Sequence, residues 1–237
     1  MGRKGTFMKK IMILVATLCM TGAASAGTTR EHVQDRLNNA GRVLHEIMAA
    51  PDRGVPEEVL DHAKCVAVVP SMIKGGLVFG AENGKGVATC RTASGWSAPA
   101  FFDITGGNWG LQIGVEGVDL VLIIQNDKGM QQLLSSKFEL GADASVAAGP
   151  VGRHASADTD WKLDTAILTY SRAKGAFAGL TLNGSAIRRD EDATVAIYGH
   201  DVSTRTILRG EVAAPASAHA FINAVRDAKA QAIAANK

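Results

Sequence analysis

The sequence predicts an α+β protein: a single β-rich domain in which a strongly bent, barrel-like antiparallel sheet is flanked by N- and C-terminal helices. Between Cys65 and Gln125, segments rich in valine, isoleucine and phenylalanine are cut repeatedly by glycine. Such residues favour a pleated, half-buried surface, and glycine within a strand marks a bend, a bulge or a close backbone approach. On either side the hydrophobic period changes. Val33, Leu37, Ala40, Leu44 and Ile47 recur at spacings of four and three, and the alanine-rich stretch after Pro215 places Phe221, Ile222 and Val225 on one helical side.

Residues 1–26 read as a secretion signal. Arg3, Lys4, Lys9 and Lys10 form a basic start, Ile11 to Met20 a short apolar run, and Ala24-Ser25-Ala26 a small-residue cleavage pattern, so cleavage is expected before Gly27. The apolar run is far short of the roughly 20 residues a spanning helix needs. Cleavage removes four of the 25 basic residues and none of the 23 acidic ones, which turns the net charge from +2 to −2. Bulk charge therefore gives no support to nucleic-acid binding, and no nucleic-acid partner is expected. Residues 27–237 suffice for one domain with a substantial core. The protein is expected to be exported, periplasmic or secreted, and at most peripheral on an outer membrane. Cys65 and Cys90 survive cleavage into that oxidising compartment, and the sequence is compatible with a disulfide or with two buried thiols.

The elements follow in order. Thr28 and Glu31 have the form of a capping box that opens a helix over 29–48, which Pro51 and Gly54 stop. A short second helix begins at Pro56, with Glu57, Glu58 and Asp61 near its favourable N-terminal end. Val66 to Val69 is a strand ending at Pro70. Leu77 to Ala81 leads into a Glu82-Asn83-Gly84-Lys85 turn from which Val87 to Arg91 returns, a hairpin. Leu111-Gln112-Ile113 alternates, whereas Leu120 to Ile124 is continuously apolar and implies burial on both faces. Asn126 to Gly129 breaks the chain before a helix of two or three turns carrying Met130, Leu133, Leu134 and Phe138. Ser145 to Ala148 is a strand, Leu163 to Ser171 and Phe177 to Leu182 form a second hairpin around 172–175, and Thr206 to Arg209 is one more short strand.

Candidate binding residues lie at these turns and strand ends: Lys74, Lys85, Arg91, Arg153, Arg172, Lys174, Arg188 and Arg189. Convergent hairpin tips would make them a phosphate-binding rim, each cation being worth about 1 kcal/mol near an anionic surface. Trp96, Phe101, Phe102 and Trp109 stand beside glycines, where core packing is the commoner role; Trp109 is the more buried of the two tryptophans on this reading. The six histidines are dispersed without compact metal-ligand spacing. No GxSxG elbow occurs, and the GxG patterns have no helix after them. Asp103, Glu116 and Asp119 would form an acid/base pair only if two of them shared a cleft. The residues read as those of a binding protein without a cofactor, metal or catalytic group.

Several ordered motifs resemble one family. GWSAPAFF at 95–102, GGNWGLQIG at 106–114, LGADASVAAGPVGR at 140–153, YSRAKGAFAGLTLNGSAI at 170–187 and Tyr198-Gly199 are similar to the SYLF domain, also called the actin-binding domain of yeast Ysc-type proteins. The resemblance covers roughly 30–235. It implies a β-rich domain with flanking helices that binds phospholipid, phosphorylated inositol lipids especially in eukaryotic members, some of which also bind actin or carry a C-terminal adaptor domain not seen in this sequence. The expected partner is an anionic phospholipid or membrane surface, or in a structural envelope role another protein, and the secretion signal sets cytosolic actin aside. The 29–48 helix mixes acids and bases on its polar face, so it is expected to pack on the sheet rather than insert in a membrane.

Overall fold

The computed structural model describes residues 21–50, 54–76, 79–109, 114–150, 165–173, 176–178, 182 and 184–235. Ten strands form one curled sheet: β1 Cys65–Gly76, β2 Phe79–Thr92, β3 Gly95–Trp96, β4 Ala100–Trp109, β5 Gly114–Ile124, β6 Lys137–Glu139, β7 Val146–Ala148, β8 Ile167–Ala173, β9 Ala176–Ala178 and β10 Ala186–Arg189. Its main path runs β6-β10-β4-β2-β1-β5-β8-β7, with β3 beside β2 and β9 beside β8. Every pairing is antiparallel except that of β7 with β8, so the sheet is mixed at one edge. Among the described residues the α-helices are α1 Thr21–Met48, α2 Glu57–Asp61, α3 Asp127–Leu133, α4 Glu191–Tyr198, α5 Thr204–Leu208 and α6 His219–Ala235.

Both faces of the central strands are buried, as the unbroken apolar runs require. In β1, Val66 and Val68 point to an outer core shared with α1, α2, α4 and α6, whereas Cys65, Ala67 and Val69 point to an inner core closed by α3, α5 and β6. β5 alternates likewise, Val121 and Ile123 outward, Leu120, Leu122 and Ile124 inward. Helix α1 lies on the outer face through Val33, Leu37, Ala40, Val43, Leu44, Ile47 and Met48, all buried, against Phe221 and Val225 of α6. It therefore packs on the sheet, as its mixed polar face implies. Phe101 and Phe102 fill opposite cores of the same strand, which is the core role expected of them.

Several local expectations give way to long-range contacts. Helix α1 spans Thr21–Met48, so Thr28 lies within it rather than at its start. Residues 82–85 are not a turn: they lie inside β2, paired to β1 and β4. An Asn-Gly pair is a hairpin signal only if its neighbours leave room for one. Here a Cβ at Gly84 would lie 2.6 Å from Val69, and one at Gly86 2.2 Å from the Phe102 ring, so these glycines admit inner-core side chains against the strand. β1 and β2 are instead paired as far as Gly76 and Gly80, and the expected strand start at Leu77–Val78 lies outside the described residues. β1 does not end at Pro70 either. A bulge between Val69 and Met72 absorbs the proline, with Ser71 at φ 54° and its N–H donating to Asp119 at 3.0 Å. Phe138 belongs to β6 rather than to α3, which Asn126 caps. Thr206 to Arg209 is helical, because the Ser203 side chain accepts the Thr206 N–H and starts α5. Helix α4 was not anticipated, although Asp190 caps it and Gly199, at φ 79°, ends it. The Leu111–Ile113 strand lies outside the described residues.

Candidate functional site

The sheet gathers cations and carboxylates from distant parts of the chain onto its outer face. Asp190, at the start of α4, is the hub of one network: Arg36 of α1 and Lys85 of β2 each donate to its Oδ2 at 3.0 Å, and Lys85 also reaches Asp103 at 3.1 Å. Burial pushes the Asp190 carboxyl up, but the Ala193 N–H, Lys85 and Arg36 outweigh that and hold it below its ordinary value. Burial pushes Lys85 down, but its bonds to Asp190 and Asp103 outweigh that and raise it. A second network fixes the other end of α1, where Arg172 of β8 bonds Asp119 at 2.7 Å and also Glu46. Hydrogen bonding to Asp119 leads in raising Arg172, and Glu46 is lowered by Arg172 and Arg42 in spite of burial.

The expected basic rim is thus largely satisfied from within. Lys74 is buried on the inner face, 3.2 Å from Glu82 directly across β2, and the Ser185 hydroxyl donates to the same carboxylate. Arg91 stacks on Trp96 at 4.8 Å and donates to the carbonyls of Ala63 and Leu60. Arg189 pairs with Asp201 and Glu191. Of the candidates, Arg188 alone is exposed on the described surface without a carboxylate partner there, beside Lys137 in the β10–β6 register. Arg153, Lys174 and the Trp109 side chain fall outside the described part. The carboxylates do not share a cleft: Asp103 and Asp119 serve the two networks, and Glu116 points to the other face. Cys65 and Cys90, in register on β1 and β2, are joined by a disulfide.

Two surfaces remain with unmet chemistry, one at each end of the sheet. Past the helices the outer face is bare. Ile73 and Val115 are 57 % and 78 % exposed there. They are diagonal neighbours, since Ile73 pairs with Gly117 and Gly75 with Val115. Ala81, Asn83, Thr105 and Gly107 continue this row across β2 and β4. The sequence carries no charged residue over 75–81 or over 104–115. At the opposite end a groove of about 540 Å³ runs between α3 and α5, lined by Met130, Gln131, Gln132, Leu208, Arg205 and Arg209 among others. Sequence reasoning missed these two arginines because a strand at 206–209 does not set them one turn apart on a helix. Ser203 and Gly210, as cap and stop, were the signal.

The described residues form a curled sheet under helices, with side chains filling its interior. The chain belongs to the Ysc84 family, whose model, described as that of a Las17-binding protein and actin regulator, matches residues 105–228. It is the SYLF domain that the motifs resemble. Similar proteins include SH3 domain-containing YSC84-like protein 1 of Rattus norvegicus, 32 % identical over 79 % of this chain and 57 % of that protein. Protein YSC84 of Saccharomyces cerevisiae is 34 % identical over 70 % of this chain and 36 % of its own length. The chain thus spans 57 % of the first of these relatives and 36 % of the second. These descriptions correct the expectation about partners: relatives named for actin regulation and for SH3 domains overturn the dismissal of actin.

Proposed function

We propose that this chain is an exported, non-enzymatic module that attaches peripherally to phospholipid bilayers by the bare end of its sheet. The observation that carries this reading is the exposed Ile73–Val115 pair set in an uncharged four-strand surface. Fully burying a valine or isoleucine side chain is worth about 1.5–3 kcal/mol, so partial immersion of two gives weak, reversible attachment. Arg188 and Lys137 stand exposed on the flank of the same face and add a preference for anionic headgroups, at about 1 kcal/mol each. Binding is then part salt-insensitive and part salt-sensitive.

Co-sedimentation with vesicles of phosphatidylglycerol and phosphatidylcholine tests this. The wild-type chain should sediment, Ile73→Asp/Val115→Asp should stay in solution, and Arg188→Glu should lose only the salt-sensitive part. Unchanged sedimentation of the double variant would remove the sheet end from the site.

A second reading is a protein contact, favoured by the description of the family as actin regulators. Sedimentation with filamentous actin in the absence of lipid distinguishes it from the first.

A further inference from the structure

The groove between α3 and α5 has the opposite character from the bare end, and it lies far from it. β2 runs from Phe79 at the bare end to Thr92 beside the groove, a contour length of about 40 Å at the usual rise per residue.

In the groove, Arg205 and Arg209 sit one helical turn apart, both exposed, and among the described residues neither has a carboxylate partner. Like charges at that spacing repel, so the pair is held at a cost that an anionic occupant would relieve. No carboxylate is found among the residues lining the groove. Elsewhere on the molecule Arg36, Lys85, Arg172 and Arg189 are each answered by an acid from a distant part of the chain. The pair in the groove has no such partner among the described residues.

We propose that this groove docks an acidic, extended peptide segment of a partner protein. Three features favour a peptide over an isolated phosphate. The volume exceeds what one phosphate fills. Met130 and Leu208 supply an apolar floor for alternate side chains, and the Gln131 and Gln132 carboxamides can donate to and accept from a peptide backbone. The guanidiniums are set apart along the groove and so match successive acidic side chains of a strand-like ligand.

A fluorescein-labelled peptide of alternating glutamate and leucine, titrated at low salt with anisotropy as readout, tests the proposal on the full chain. The wild-type protein should bind it, with affinity falling as salt rises. Arg205→Glu/Arg209→Glu should weaken binding at least tenfold, and a glutamine-for-glutamate peptide should bind as poorly. An unchanged melting temperature in circular dichroism shows that the variant is folded. Equal binding of the glutamine peptide, no binding by the wild-type protein at millimolar concentration, or displacement by millimolar inorganic phosphate would each overturn the proposal. The membrane reading is separable: Arg205→Glu/Arg209→Glu should still sediment with vesicles, and Ile73→Asp/Val115→Asp should still bind the peptide. Loss of vesicle binding by the arginine variant would make the groove a headgroup site and sink the peptide proposal alone.

Discussion

The outer face of the sheet is two surfaces under one set of strands. Over its helix-covered half Arg36, Lys85 and Arg172 each have an acid, Arg91 is met by the Leu60 and Ala63 carbonyls, and the ion pairs pin α1 and α4 to the strands. Over its far end, from the row of Ile73 and Asn83 outward, the described residues on this face of the same strands carry no charge, and Ile73 and Val115 stand exposed. The basic residues in these networks are thus fastenings, and the exposed surface at this end, to which attachment is proposed, is marked by the lack of charge. That inverts the usual inference from a scatter of lysines and arginines at turns to an anion site.

The comparison can be broken first at Asp190. Asp190→Ala removes the cap of α4 and leaves Arg36 and Lys85 without their shared partner, so urea unfolding should show a loss of about 3–5 kcal/mol. A loss under about 1 kcal/mol, the size of an ordinary cap alone, would mean that the network fastens nothing. Removing the cross-link by Cys65→Ala/Cys90→Ala should cost about 3 kcal/mol for a loop of 25 residues, independent of either surface.

Acid should reveal the fastened half more gently. Asp190 and Glu46 are held below ordinary values of 3.8 and 4.5, so their contribution is complete above those values and is lost as pH falls through the lower folded ones. The melting temperature should be level above pH 4.5 with respect to these groups and decline below it, and Asp190→Asn should flatten the decline. A decline of equal steepness in that variant would place the acid sensitivity elsewhere. The smallest stability effect is expected at the bare end. Ile73→Asp/Val115→Asp should change unfolding by no more than about 0.5 kcal/mol per site while abolishing vesicle binding, because both side chains are already largely in water. A large destabilisation would show that the surface is a covered one.

The chain by itself determined the strands at 66–69 and 120–124, the packing face of the first helix, the terminal helix and the family, because each rests on a short-range pattern of apolar residues or on ordered motifs. What only the tertiary structure decided is which residues spend their chemistry on one another. Asn83-Gly84 reads as a turn until the Val69 and Met72 side chains are seen to fill the space beside it. Lys85 reads as a free cation until Asp190, 105 residues further on, is brought to it, and Arg172 until Glu46, 126 residues earlier, arrives on α1. Ion pairing and close packing are contacts between neighbours in space, and the sheet order that makes these residues neighbours is not written in any window of the sequence short enough to read.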